Sequence, residues 1–82
     1  MVKILFLLIT LVTFLFSQIN INTANKKELM NLYGVGEETA KNIIKYRKKH
    51  MFKNKKDILN VKGIGDKKYN KIKKEIVVSN EE

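Results

Sequence analysis

Leu59-Asn60-Val61-Lys62-Gly63-Ile64-Gly65 is the stretch whose reading decides the fold of this chain. A glycine on either side of a single apolar residue lets the backbone bend tightly without a Cβ in the way. Twenty-nine residues upstream the same bend stands as Gly34-Val35-Gly36. Superposing the copies puts Asn25 on Asn54, Lys26 and Lys27 on Lys55 and Lys56, Glu28 on Asp57, Leu29 on Ile58, Asn31 on Asn60 and Ile43 on Ile72. A self-similar period of this length is one supersecondary unit used twice.

Each copy opens with a helix start. Asn25 is placed to accept from the amide three residues on while Glu28 reaches back, a capping box, and Asn54 with Asp57 repeats it with a shorter acid. A first short helix is expected from about Lys26 to Leu32, turning Leu29, Met30 and Leu32 inward, and its counterpart from Lys55 to Asn60 with Ile58, Leu59 and Val61. After each bend comes a longer helix. The first runs from about Glu37 to Lys49 with Ala40, Ile43 and Ile44 on its buried stripe; the second runs from Asp66 to about Ile76 with Tyr69, Ile72 and Ile76. Glu37, Glu38 and Asp66 fall in first turns, where the helix dipole favours negative charge. Between the copies His50 to Lys53 forms a connector anchored by Phe52. The fold class is therefore all-α, a compact tandem bundle of four to five short helices. One hairpin covers about residues 25–49 and the other about 54–77, within a domain at 18–78, and 79–82 forms a disordered tail.

Composition fits that reading. The 82 residues contain no cysteine, so a domain of this size must hold together without disulfides. At about 65 residues it buries only about 60% of its unfolded surface and needs efficiently packed elements. Seventeen Lys and Arg against eight Asp and Glu give a formal charge of +9, which favours an anionic polymer or surface as partner. Residues 1–17 differ in character: Lys3 precedes an apolar run from Ile4 to Phe16, broken by Thr10 and Thr13, with Ser17 as a small residue before Gln18. Such a run has the length of a secretory leader and falls short of the roughly 20 residues that span a bilayer as a helix. It reads as a signal peptide, with an uncleaved amino-terminal anchor as the alternative.

The chemistry lies in the bends. Val35 and Ile64 point into the core, while neighbouring amides and the unpaired amides of the following helix start form a small anion cradle suited to a phosphate oxygen. One Gly-x-Gly bend is an ordinary helix connection. Two, each capped and each followed by a basic helix, are more specific. The bland reading of each lysine is a solvated helix face, and that of Tyr46 and Tyr69 is core packing. His50 has no partner at metal-ligand spacing, and neither a metal nor a cofactor is expected. With no Cys nucleophile and no His-carboxylate pair, catalysis is not expected.

Asn22-Thr23-Ala24, Leu29, Leu32, Gly34-Val35-Gly36, Ala40, Ile43, Ile44, Tyr46-Arg47, Phe52 and the run from Leu59 to Gly65 together resemble the tandem helix-hairpin-helix domain of the ComEA competence proteins. The resemblance spans about residues 19–78. It implies binding of double-stranded DNA without sequence preference, outside the cytoplasmic membrane, during natural transformation, with a DNA channel of the inner membrane and uptake-pilus components as further partners. A periplasmic or otherwise exported protein is expected, or one anchored to the cytoplasmic membrane facing outward if the leader stays attached. The alternative is an exported basic module that binds a protein or an anionic envelope polymer. The phosphate-binding set implied is Gly34, Val35, Gly36, Thr39, Lys41, Lys62, Gly63, Ile64, Gly65, Lys67, Lys68 and Lys71. Two hairpins about a pseudo-twofold would each grip one strand. Tyr33 stands where a proline is common in the family, and Glu37-Glu38-Thr39 where a proline and a lysine are usual, so the second hairpin is expected to hold harder.

Overall fold

The computed structural model describes residues 18–79; the leader expected at 1–17 and the tail at 80–82 lie outside the described residues. Both capping boxes are formed. Asn25 Oδ1 accepts from the Glu28 amide at 2.8 Å and Glu28 Oε1 accepts from the Asn25 amide at 2.9 Å. In the second copy the shorter Asp57 reaches the Asn54 amide at 3.3 Å and holds the Lys53 amide more closely, at 2.7 Å. These caps start α1 (Lys26–Leu29) and a 3-10 helix, η1 (Lys55–Asn60). The longer helices are α2 (Glu37–Lys49) and α3 (Asp66–Ile72).

The first helix is shorter than its periodicity suggests, since the chain turns after Leu29 and Met30 faces outward. The last helix also stops early, at Ile72 instead of about Ile76. Ile76-Val77-Val78 is a β-branched run, which loses side-chain freedom in a helix and packs well on a pleated strand. It forms β2 (Ile76–Val77), paired in parallel with β1 (Ile19–Asn20) in the register Ile19 with Ile76 and Asn20 with Val77. The all-α expectation is corrected by this two-stranded pair. The Ile19 amide donates to the Glu75 carbonyl at 2.8 Å and the Ile21 amide to the Val77 carbonyl at 3.1 Å, tying the beginning of the domain to its end. Ser79, expected at the start of a frayed tail, has its carbonyl accepting from Asn20 Nδ2 at 3.3 Å and Asn22 Nδ2 at 3.4 Å.

One core serves both copies. Leu29 and Ile58, Leu32 and Val61, Val35 and Ile64, and Ile43 and Ile72 are equivalent pairs, and every member is buried. Phe52 anchors the connector as expected, stacked on Tyr46 with ring centroids 5.1 Å apart. Asn22, itself buried, exchanges two bonds with the Phe52 backbone: its Nδ2 donates to the carbonyl and its Oδ1 accepts from the amide, both at 2.9 Å. Arg47 Nη1 donates to the carbonyls of Ile21 at 3.1 Å and Ala24 at 2.6 Å. Burial lowers the Arg47 pKa, yet a guanidinium with such partners stays protonated. The sole arginine is thus a structural clamp. Asn22, Ala24 and Arg47 belong together because they hold the entry segment against α2 and the connector.

Candidate nucleic-acid interface

Gly34 and Gly63 carry the sharp part of each bend, with φ of 71° and 104°, a region that favours glycine. Immediately after, the chain turns back on itself. The Val35 amide donates to the Leu32 carbonyl and the Ile64 amide to the Val61 carbonyl, each at 3.1 Å. Val35 and Ile64 therefore point into the core as expected, and their own amides are taken up within the turn. The open positions lie one residue later. Gly36 and Gly65 are the N-caps of α2 and α3; neither helix start has a side-chain cap, and nothing lies within 4 Å of where a Cβ would stand on either glycine. The first amides of these helices lack intrahelical partners.

The two hairpins interlock reciprocally. A Cβ on Gly63 would meet Thr39 Oγ1 at 2.8 Å, and one on Gly34 would meet Lys68 Cε at 3.0 Å. Thr39 and Lys68 occupy the same position in the two copies, so each hairpin lays its equivalent side chain across the other's glycine. A second exchange repeats the relation: Asn42 Nδ2 donates to the Lys62 carbonyl at 3.1 Å, and Lys71 Nζ donates to the Tyr33 hydroxyl at 3.4 Å. Asn42 matches Lys71, and Lys62 matches Tyr33. The pseudo-twofold is built from these contacts.

Chemically the halves differ. Tyr33, Gly63, Gly65, Lys67, Lys68 and Lys71 line a groove of about 420 Å³. The equivalent positions of the other half are Lys62, Gly34, Gly36, Glu38, Thr39 and Asn42, so an acid and two neutral residues replace three lysines. Lys68 Nζ already donates to the Gly63 carbonyl at 3.0 Å, which holds one cation at the bend. Lys71 Nζ lies 4.5 Å from the centroid of the Tyr33 ring, a cation–π contact. Lys67 and Lys62 are exposed without an ion pair among the described residues. Lys41 is engaged instead: its Nζ is 3.6 Å from Glu37 Oε2, which also holds Lys26 Nζ at 3.1 Å. The hydrogen bond from Lys26, then its charge, then that of Lys41 hold the Glu37 carboxyl below its ordinary value. Because this lowering belongs to the folded state, the cluster adds stability above the ordinary glutamate range and loses it as pH falls through the folded-state value.

The open start of α3, Lys67, Lys68 and Lys71 are brought to one groove and Lys62 to a neighbouring one, while Val35, Ile64 and Thr39 pack at the bends and Lys41 is diverted to Glu37. Tyr33 and Asn42 were not expected in the site; the signal for them was the 29-residue period itself, carried past the bends onto the helix faces. Among the described residues no cluster of His, Asp and Glu could hold a metal ion.

The helix-hairpin-helix motif family matches residues 16–77, and the chain belongs to that family. Such motifs typically bind DNA, which points to nucleic acid as the partner class. No curated protein sequence matches the chain.

Proposed function

We propose that this protein binds double-stranded DNA without sequence preference, through backbone phosphates, outside the cytoplasmic membrane, and acts in DNA uptake during natural transformation as the ComEA proteins do. The observation that carries the binding reading is the groove between the hairpins, where the open start of α3 at Gly65 meets Lys67, Lys68 and Lys71 on a scaffold of the helix-hairpin-helix family. Backbone amides and lysines meet phosphates equally well on any sequence, so they position a duplex without reading it. The leader pattern at residues 1–17 supports export, and the ComEA-like run from Leu59 to Gly65 supports the uptake role. In this reading the inner-membrane channel and uptake pilus are downstream partners and the protein has no catalytic step of its own.

Gel shifts of residues 18–82 with several unrelated duplexes of equal length test the reading. Dissociation constants agreeing within about threefold are expected, against the roughly 10³-fold or greater separation of a sequence reader. Binding to one sequence alone, or to none, overturns it. The mass of the protein recovered from its native envelope fraction distinguishes a cleaved leader from an anchor.

A further inference from the structure

A second basic groove lies on the other flank of the second bend, between α2 and the end of η1, with a volume of about 300 Å³. Lys45 and Lys49 of α2 and Lys62 line it, and among the described residues none of the three is in an ion pair. No carboxylate lines it. Its floor is ordered: the Tyr46 ring is stacked on Phe52 and has His50 at 5.6 Å, and the Tyr46 hydroxyl accepts from Asn60 Nδ2 at 3.1 Å. That acceptance leaves the hydroxyl proton free to be donated elsewhere.

Lysine is abundant everywhere in this chain, so a basic groove needs a control, and the repeat supplies one. Under the 29-residue superposition Tyr46 corresponds to Glu75 and Asn60 to Asn31. Glu75 and Asn31 line a groove on the opposite side, together with Glu28 and the entry segment Gln18–Asn20. These two equivalent positions thus stand in acidic surroundings beside the chain's own entry segment in one half, and in basic surroundings with an aromatic ring in the other.

Adjacency argues for the ligand. Lys62 lines this groove while the next residue, Gly63, lines the groove between the hairpins, and Asn42 fastens α2 to the Lys62 carbonyl. We infer that the groove formed by Lys45, Lys49, Lys62 and Tyr46 is a second phosphate site that extends the nucleic-acid track beyond the second hairpin, taking backbone phosphates of the strand gripped there. This rests on the DNA-binding reading. It gives that hairpin a footprint on both flanks, with Lys67, Lys68 and Lys71 on one side and Lys45, Lys49 and Lys62 on the other.

The test compares the full chain with Lys45→Gln/Lys49→Gln and with Lys27→Gln/Lys74→Gln, which removes the same charge from elsewhere on the surface. Duplex affinity is measured across a salt series, and folding by thermal melting. One or two phosphate contacts correspond to a change of about 0.9 each in the slope of log affinity against log salt. The Lys45/Lys49 variant is expected to have a slope shallower by about 1 to 2, with its melting midpoint unchanged, while the control keeps the wild-type slope. Equal loss in both variants, or no loss in the first while the wild type binds normally, overturns the second site alone. An unchanged DNA slope with lost binding to polyglutamate would place an acidic peptide in the groove and overturn the inference as well. A wild-type slope near zero contradicts the DNA reading itself and is distinct from each of these results.

Discussion

The four glycines of the bends do two different jobs, and single substitutions separate them. Gly63 has positive φ and faces Thr39 Oγ1 at 2.8 Å from a would-be Cβ, so Gly63→Ala both strains the backbone and collides with the other hairpin. A loss of about 1–3 kcal/mol is expected, read as a lower melting midpoint. Gly65 adopts an ordinary extended conformation and faces open space. Gly65→Glu should therefore melt close to wild type and yet lose about ten- to hundredfold in DNA affinity, because a carboxylate would stand where phosphate is held. If the two variants lose stability and affinity in parallel, this division of labour is wrong. The glycine pair was legible from its spacing alone. The fate of the central amide was not, because Gly-x-Gly does not say that it bends back to Leu32 or Val61.

At the scale of elements, helix starts and core positions were readable because caps and apolar spacing are local. The ends were less so. β2 depends on Ile19 being available 57 residues earlier in sequence, a pairing that no local pattern near Ile76 contains. Asn22 shows the same limit: it looked like part of a family signature, and its role appears only when the fold brings it to the backbone of Phe52. Asn22→Ala would leave that buried amide and carbonyl without partners, at a cost of about 1–3 kcal/mol, large for a domain of this size. Thermal melting with retained helical circular dichroism below the transition would verify it. The start of α2 carries a prediction of opposite sign for binding. Glu37→Gln/Glu38→Gln removes two negative charges and frees Lys26 and Lys41 from their ion pairs. The salt slope should steepen by about 1 to 2 as the first hairpin gains phosphate contacts. An unchanged slope would mean that the first hairpin does not approach DNA.

As a whole molecule, the chain is a symmetric scaffold with asymmetric chemistry. Reciprocal packing of Thr39 on Gly63 and Lys68 on Gly34 sets the two hairpins side by side, and the second half gathers the lysines. The repeat, the basic balance and the acids after the first bend made this asymmetry legible in the sequence; the interlocking that packs each bend against the other hairpin required three dimensions. The central claim is that phosphates, several at a time, are what this surface holds. Measuring duplex affinity across a salt series for residues 18–82 tests it most directly. With about 4 to 6 phosphates neutralised, log affinity should fall against log salt with a slope of roughly −4 to −5, whereas a slope near zero would contradict the account.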